Sequence, residues 1–183
     1  MRTIGQAPEV RLEWIAADGD VAEIVAMRRA IYGGELGWID EGSDVAWDRY
    51  DLHSTTLLVR IDGRPAASSR LTIEDAGPLE VSDLVDWRSA VPAELRAGLA
   101  AEWSRVMILT EHRGGGWFRR MYDAAVGEAR RRGARLLAGA SEERQRARYA
   151  SLGFTYVERP FRSPFFDDSP VYLPAWQRID EAP

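Results

Sequence analysis

The sequence predicts an α/β fold in which a mixed central sheet is flanked by helices. Some segments alternate apolar and polar residues with the period of a strand, others repeat apolar residues with the period of a helix, and the two kinds follow each other along the chain. Such an order is typical of helices packed on a sheet. The 183 residues, 45% of them apolar, can bury one core, so we expect a single domain over residues 1–183.

The first predicted element is a helix in the segment DGDVAEIVAMRRAIYGG. Asp20 is the expected N-cap, Glu23 is its capping-box partner, and Gly33-Gly34 is the expected stop. Arg28 lies in the middle of the apolar stripe of this helix. A charge in that position requires an acidic partner in the folded protein.

The later elements alternate strands and helices. TTLLVRIDGRPAASSRLTIE predicts a β-hairpin that turns at Asp62-Gly63, and GPLEVSDLVDW predicts a connection with some helical tendency. AEWSRVMIL alternates as a strand, and WFRRMYDAAVGEARRRG predicts an amphipathic helix that ends at Gly133. A short buried strand (ARLLAGAS), another helix (EERQRARYASLGF) and two late strands (TYVERPF and SPVYLPAW) complete the predicted order.

Composition excludes several classes of function. The chain has no cysteine, which excludes disulfides, thiolate metal sites and a cysteine nucleophile, and its two histidines, His53 and His112, lie far apart in sequence. We therefore expect no metal site. No signal-like or membrane-length apolar run occurs, so we expect a cytoplasmic protein without a membrane span. The net charge of -5 argues against nucleic-acid binding.

The segment from residue 113 to residue 148 is locally basic, with ten arginines and four acidic residues. This excess of positive charge fits an acidic carrier protein or a phosphorylated cofactor as the binding partner. It also fits an ordinary solvated helix face, so the composition alone leaves both interpretations open.

A glycine-rich turn connects the strand AEWSRVMIL to the next helix. The turn consists of Arg113, Gly114, Gly115 and Gly116, and the helix begins with Trp117 and Phe118. The first N–H groups of a helix have no internal partner, the helix dipole is positive there, and glycines allow a ligand to approach the backbone. The turn therefore predicts an anion-binding site, unless the glycines only tighten the turn.

This turn and the later segment RYASLGF together resemble the GNAT superfamily of N-acyltransferases. In that family an R/Q-x-x-G-x-G/A turn binds the pyrophosphate of coenzyme A, and a tyrosine in Y-x-x-x-GF protonates the departing thiolate. The resemblance implies a GNAT fold, donor binding by residues 113–118 and Tyr149 as the general acid. Phe118 stands where the family prefers Gly or Ala, which predicts a preference for carrier-bound donors over acyl-CoA.

The N-terminal half resembles the acyl-homoserine lactone synthases and the long-chain N-acyl amino acid synthases, both of GNAT fold. The matching residues are Arg28, Tyr32, Trp38, Asp48, Asp51, Arg70, Glu102, Ser104 and Arg105. Ala46, where lactone synthases usually have Glu, and RLTIE, in place of their RLLPT, depart from the lactone pattern. The resemblance implies a small-molecule amine as acceptor and an acyl donor on acyl-carrier protein, which the Arg-rich segment would contact.

The resemblance also implies a charged cluster at the mouth of the sheet. Its members would be Arg28, Arg70 and Arg105 with Asp48, Asp51 and Glu102. The cluster either shapes a substrate pocket or only ties the N-terminal helix to the sheet. On a regular strand Glu102 and Arg105 would face opposite sides, so either they do different jobs or a β-bulge lies between Ser104 and Met107; we favour the bulge.

We therefore expect an N-acyltransferase that moves a medium or long acyl group from an acyl-carrier-protein or acyl-CoA thioester to an amine. Glu102, or a water held by Glu102 or Asp48, would deprotonate the amine. The N–H near Met107 would stabilise the oxyanion, and Tyr149 would protonate the thiolate. Trp38 and Trp103 would line the acyl channel, and FRSPFFDDSP is either a loop over that channel or an ordinary surface loop. The alternatives are an acetyl-CoA acetyltransferase and a non-catalytic acyl-thioester sensor.

Overall fold

The computed structural model describes residues 7–40, 43, 46–166 and 169–180, and these residues are arranged around an eight-stranded sheet. Its strands are β1 (Val10–Ala16), β2 (Thr55–Ile61), β3 (Arg64–Ile73), β4 (Ala100–Ile108), β5 (Leu136–Glu142), β6 (Thr155–Tyr156), β7 (Phe161–Arg162) and β8 (Val171–Arg178). The strand order is β1-β2-β3-β4-β5-β8-β6, and β7 also pairs with β8. Among these strands β4 and β5 are parallel and the other pairs are antiparallel, so the predicted mixed sheet is confirmed.

The helices of the described residues lie between these strands. They are α1 (Ala22–Arg28), α2 (Glu80–Leu84), α3 (Trp117–Arg131) and α4 (Arg146–Ala150). Short 3-10 turns occur at Asp51–His53, Arg88–Ala90, Ala93–Leu95, Thr110–His112 and Glu143–Gln145. In the described ranges none of the helices has both the length and the apolar character needed to cross a bilayer.

The first helix does not stop where the sequence predicts. Beyond α1 the chain continues as a π-helix over Arg29–Glu35, straight through the two glycines. The Leu36 N–H donates to the Ile31 carbonyl at 3.0 Å, five residues back, which is the π-helical pattern. A Cβ at Gly33 would lie 3.2 Å from the Ile39 carbonyl oxygen, so this glycine permits the close return of the chain. The prediction of a glycine stop is therefore wrong.

The start of α1 follows the prediction only in part. The Asp20 carboxylate accepts the Ala22 N–H at 3.2 Å, as expected near a helix start. Glu23 forms no capping box, because its carboxylate pairs with the Arg60 guanidinium on β2. A charge-assisted bond of this kind is stronger than a bond to a neutral backbone N–H.

The predicted hairpin and the connection after it are confirmed. Asp62 and Gly63 join β2 to β3 with φ of 50° and 77°, the positive values that a two-residue hairpin turn of type I′ requires. The connection between β3 and β4 includes α2, so its helical tendency is realised over five residues.

Apolar side chains cover both faces of the sheet. On one face α3 packs against β2 to β5 in the larger core, which contains Ala101 and Trp103 of β4. On the opposite face the chain around α2 contributes a second core with buried Leu79 and Trp87. Glu102 alternates with Trp103 along β4 and therefore faces α2.

The sheet separates at its centre. The ladder between β4 and β5 ends at the pair Glu102 and Ala138, although both strands continue, so a gap opens between them. The two strands approach closely just at that point, since a Cβ at Gly139 would lie 2.8 Å from the Trp103 carbonyl oxygen. Glycine at this position therefore permits the contact from which the two strands diverge.

The predicted β-bulge in β4 is confirmed. Ser104 lies opposite Arg70 and Met107 lies opposite Ser68, so β4 has one residue more than β3 in this interval. Arg105 marks the bulge with a φ of 51°. As a result the side chains of residues 102 and 105 reach the same side of the sheet.

Candidate active site

A cleft of about 520 Å³ lies where β4 and β5 separate, a volume usual for small-molecule sites. The predicted site residues that line it are Tyr32, Trp38, Glu102, Ser104, Arg105, Met107, Arg113, Gly114, Phe118 and Tyr149. The predicted residues that lie behind or beside this lining are Arg28, Asp48, Asp51, Arg70, Trp103, Gly115, Gly116 and Trp117. The structure thus brings the N-terminal series and the glycine turn to one place in the fold.

The glycine turn leaves its backbone open to a ligand. Gly114 and Gly116 have φ of 85° and 77°, and a Cβ on either would meet nothing within 4 Å. Gly116 immediately precedes α3, whose first N–H groups have no partner within the helix. This geometry is compatible with the predicted anion site, because glycine both adopts the positive φ and leaves space above the backbone.

Arg113, the basic residue of the turn, is held at the cleft by Glu35. Its guanidinium donates to the Glu35 carboxylate at 2.6 Å and to the Ile108 carbonyl at 3.1 Å. The Thr110 hydroxyl donates to the same carboxylate at 3.0 Å. The hydrogen bond from Arg113 lowers the pKa of the Glu35 carboxyl. An anion that binds Arg113 would therefore compete with Glu35.

Phe118 packs into the core and also borders the cleft. Its ring is buried and contacts the rings of Trp103 and Tyr149, with centroids 5.3 and 5.2 Å away. The Arg148 guanidinium lies 4.3 Å from the Phe118 ring centroid, on the cleft side. The Phe118 side chain, on the first turn of α3, therefore packs against the Tyr149 ring and supports it.

Tyr149 lies on α4 with its ring in the core and lines the cleft. The ring is in contact with those of Trp103, Phe118 and Phe154. Within the part of the chain that the structure describes, its hydroxyl has no hydrogen-bond partner. Burial raises the pKa of Tyr149, so the hydroxyl keeps its proton at neutral pH. A protonated, unpartnered hydroxyl in a cleft can donate to a substrate atom.

Arg28 obtains the acidic partner that its position in the helix requires. Its guanidinium donates to both carboxylate oxygens of Asp51, at 2.6 and 2.8 Å, and both side chains are fully buried. It also donates to the Ala46 carbonyl at 3.2 Å. Since neither residue lines the cleft, the pair ties α1 to the chain before β2 and cannot touch a ligand in the cleft.

Two further arginines share two carboxylates closer to the cleft. Asp48 accepts from Arg70 at 2.8 Å and from Arg105 at 2.6 Å. Glu80 likewise accepts from both guanidinium groups, at 3.0 Å in the case of Arg105. Burial alone would raise the pKa of Asp48, but the charges of Arg70 and Arg105 outweigh it and lower that pKa. These four buried charges form a network that also joins the Arg28–Asp51 pair, because the Arg70 guanidinium lies 3.4 Å from an Asp51 carboxylate oxygen.

Glu80 is the member of this network that the sequence analysis missed. It is the first residue of α2 and is 5% exposed. The signal that could have found it is an acidic residue between Leu79 and Val81, both of which are buried. An acid inside such an apolar run requires a partner just as Arg28 does.

Glu102 differs from its expected place in the cluster. It is buried, and within the described residues it forms no ion pair with an arginine; it accepts the Val81 N–H at 3.1 Å instead. Burial and then the negative charge of Glu80 raise the pKa of Glu102 to about 7. Glu80 occupies the place expected for Glu102 because it reaches Arg70 and Arg105 from α2. Glu102 is thus a carboxyl group able to exchange a proton near neutral pH.

The backbone of β4 offers N–H groups to the gap. The Leu109 N–H donates to the Ala66 carbonyl at 3.0 Å, so it faces β3. Successive N–H groups along a strand point to opposite sides, so the Met107 N–H also faces β3, where Met107 pairs with Ser68. The Ile108 N–H faces the gap. The bulge leaves one further residue outside the ladder.

Three aromatic rings form one wall of the cleft. Tyr32 and Trp38 stack with ring centroids 5.8 Å apart, and Phe166 lies 5.3 Å from each. The Arg105 guanidinium lies 5.3 Å from the Phe166 ring centroid. Phe166 belongs to the segment FRSPFFDDSP, of which residues 167 and 168 lie outside the described part of the chain. This segment therefore contributes to the cleft.

Trp103 takes a different position from the one expected. The sequence analysis expected it to line the acyl channel, but it is 1% exposed and packs behind Phe118, Tyr122 and Tyr149. The reason is the alternation along β4, which directs Trp103 to the α3 face when Glu102 faces α2. Its ring therefore supports the residues of the cleft without lining it.

Most arginines of the basic segment have acidic partners. The paired ones are Arg113, Arg119, Arg131, Arg132, Arg135, Arg144 and Arg146. Most of the local charge is therefore balanced by neighbouring acids. Within the basic segment, the arginines that line the cleft are Arg113, Arg144 and Arg148, and we call them the basic rim.

The mixed sheet and the glycine turn before α3 agree with the predicted N-acyltransferase fold. The chain belongs to the Acetyltransferase (GNAT) family, whose family model matches residues 21–154. The protein is therefore an acyltransferase enzyme of the GNAT type.

Solved structures share this fold at low sequence identity. FeeM, an N-acyl amino acid synthase from uncultured soil microbes, has a TM-score of 0.73 at 13% identity, over 96% of this chain and 93% of that chain. BjaI, a CoA-dependent acyl-homoserine lactone synthase, has a TM-score of 0.67 at 21% identity, over 93% and 84%. An acyl-CoA N-acyltransferase from Pseudomonas aeruginosa has a TM-score of 0.64 at 16% identity, over 93% and 99%. A comparison with curated protein sequences finds no match.

Proposed function

We propose that the enzyme transfers an acyl group from a phosphopantetheine thioester, on coenzyme A or on acyl-carrier protein, to the amine of a small molecule. The observation that carries this proposal is that Glu102 and Tyr149 line the same cleft, beside the gap between β4 and β5. One is a carboxyl group able to accept a proton near pH 7, and the other is a protonated hydroxyl without a partner among the described residues.

Glu102 serves as the general base in this proposal. The nitrogen of a neutral amine must lose one proton as it becomes an amide, and a base is most effective when its pKa lies near the working pH. Glu102 meets this requirement because Glu80 and Asp48 already balance the nearby arginines. Asp48 lies behind the lining of the cleft, so its proposed task is limited to holding Arg70 and Arg105.

The reaction is a direct transfer. The amine nitrogen forms a bond to the thioester carbon, its proton passes to Glu102, the carbon–sulfur bond breaks, and the thiolate receives a proton from Tyr149. Glu102 then returns a proton through water to the Tyr149 phenolate. The backbone N–H groups at the gap, including that of Ile108, are proposed to stabilise the oxyanion in place of the Met107 N–H.

The donor is held by its phosphates at the glycine turn and the basic rim. Gly114 and Gly116 leave the backbone accessible, and Arg113 and Arg148 border the same cleft. The Phe118 ring packs against Trp103 and Tyr149, and its small exposed fraction reduces the steric reason to exclude the larger CoA group. The names of BjaI and of the Pseudomonas enzyme favour acyl-CoA, and carrier-bound donors are kept as the alternative.

The acceptor is proposed to be an amino acid or a lactone-type amine, as in the enzymes FeeM and BjaI. Support for a medium or long acyl group comes from the size of the cleft and from its apolar residues Leu84 and Phe161. The description of the family as acetyltransferases favours acetyl-CoA as the second candidate donor.

A thiol-release assay tests this proposal. Acetyl, octanoyl and longer thioesters of CoA and of acyl-carrier protein are each offered with a panel of amino acids and amines, and mass spectrometry identifies the N-acyl product. We expect amine-dependent thiol release with at least one medium or long donor. Preference for acetyl-CoA would favour the second candidate, and donor binding without turnover would identify a sensor and refute the proposal.

A further inference from the structure

The geometry points to Glu80 as a positioning residue: it holds Arg70 and Arg105 on its own carboxylate and thereby keeps Glu102 without an arginine partner. The assignment concerns the ionisation of Glu102. It rests on the proposed function only in taking Glu102 to be the general base. Glu80 is the first residue of α2, and it is not among the residues that match the known acyltransferases.

The contacts of Glu80 explain how it does this. Its two carboxylate oxygens accept from two different arginines, Arg70 and Arg105, and its side chain is 7% exposed. The neighbouring residue of the same helix turn, Val81, donates its N–H to Glu102 at 3.1 Å. The start of α2 thus places a carboxylate on the arginines and an N–H on Glu102, so the two acids have different partners.

The charges around Glu102 balance without it. The three buried arginines are opposed by three carboxylates in direct ion pairs, those of Asp48, Asp51 and Glu80. An ionised Glu102 would be a fourth carboxylate in a buried cluster of three cations. Such an excess negative charge is unfavourable, so the folded protein favours the protonated form.

The charged groups that face Glu102 come from three elements: Arg70 from β3, Glu80 from α2 and Arg105 from β4. The negative charge of Glu80 acts with burial to raise the pKa of Glu102, and the two arginines act against it. Removal of the Glu80 charge should therefore leave three arginines opposed by only two carboxylates, Asp48 and Asp51, and Glu102 should ionise at a lower pH.

The test is a direct titration of the Glu102 carboxyl. Carbon-13 NMR of protein labelled at glutamate Cδ follows each carboxyl against pH, and the resonance that is lost in Glu102→Gln identifies Glu102. In Glu80→Gln we expect the midpoint to fall by about one pH unit or more. In Glu80→Asp, which retains the charge, it should stay close to that of the wild type.

A double variant guards against loss of folding through unbalanced charge. Glu80→Gln with Arg105→Gln removes one anion and one cation, so Glu102 is again in excess and its midpoint should return towards the wild-type value. An unchanged midpoint in the single variant, or a lowered midpoint in the double variant, would overturn the assignment.

The pH dependence of kcat/KM separates this inference from the proposed function. If Glu102 is the base, the acidic limb of the rate profile should move with the NMR midpoint in Glu80→Gln. If the midpoint moves and the rate profile does not, Glu80 still controls Glu102 and only the role of Glu102 as base is refuted.

Discussion

Replacement of Glu102 by glutamine should stabilise the folded protein, and the gain should grow with pH. The pKa of this carboxyl is raised from its ordinary value of 4.5 to about 7 by burial and by Glu80. Each unit of pKa difference between the folded and unfolded states corresponds to about 1.4 kcal/mol. The full effect is therefore about 3 kcal/mol, most of which develops between pH 5 and pH 8.

The direction of the effect follows from proton linkage. A group whose pKa is higher in the folded state binds its proton more tightly there, so it favours folding below pH 4.5 and this contribution is lost as the pH rises through about 7. Glutamine resembles the protonated acid in shape and does not ionise. The variant and the wild type should therefore differ by a small constant amount in acid, and the variant should become progressively more stable as the wild type ionises.

Urea unfolding of both proteins at half-unit steps from about pH 5 to pH 8 measures this difference. Other titrating groups are common to both proteins and cancel in the subtraction. Tyr149→Phe is a matched control, because the raised pKa of Tyr149 means that no proton is lost there in this range, so its difference from the wild type should be flat. A flat difference for Glu102→Gln as well would refute a perturbed carboxyl at this position.

Three further predictions concern the acid, the buried pair and the donor site. Tyr149→Phe should lower kcat by roughly ten- to a thousandfold at unchanged stability, and a wild-type rate would mean that another group protonates the thiolate. Asp51→Asn should cost about 3 to 5 kcal/mol in urea unfolding by leaving Arg28 unpaired. Arg28→Met with Asp51→Leu should recover most of this loss, because Arg70, which also contacts Asp51, keeps Asp48 and Glu80; failure to recover would contradict the pair. Glu35→Gln should release Arg113 and so lower the KM for acyl-CoA, by a factor below about five. An increase in KM would contradict competition between Glu35 and the donor for Arg113.

The elements that local patterns specify were predictable from the sequence. The hairpin at Asp62-Gly63 follows from its turn residues, and the amphipathic α3 follows from its apolar repeat. The bulge was predicted because strand alternation places Glu102 and Arg105 on opposite faces, whereas the family resemblance places them in one cluster. In each case the residues that determine the element lie close together in sequence or belong to a recognisable motif.

The partners in the charged cluster were not predictable in the same way. Arg28 plainly needed an acid, but the sequence does not say which acid of a distant segment reaches which arginine. Glu80 pairs with Arg70 and Arg105 because α2 docks against β4 and β5, and that docking depends on apolar packing around Leu79. The family resemblance had already assigned Glu102 as the partner of these arginines. The predicted cluster was therefore balanced in charge, and nothing in the sequence indicated that a further acid was needed.

The π-helix was missed for a related reason. Two adjacent glycines are a strong local signal for a helix end, yet the helix continues because its widened turn is supported by tertiary contacts. Ile31 and Tyr32 are buried against Met107 and Phe166, and this packing outweighs the local preference of Gly33-Gly34.

The candidate site lies where regular structure is interrupted, and hydrogen bonding gives a reason. A backbone N–H inside a ladder is already satisfied and has nothing to offer a substrate, so donors are available only where a ladder stops, bulges or passes into a helix start. All three occur around this cleft: the ladder between β4 and β5 ends at Glu102, β4 bulges at Arg105, and α3 begins after Gly116. Glu102 is the corresponding case among side chains: it is available to a substrate because the arginines beside it already pair with Asp48 and Glu80. Periodic patterns in a sequence locate the satisfied scaffold, whereas the chemistry depends on groups that tertiary packing leaves without a partner.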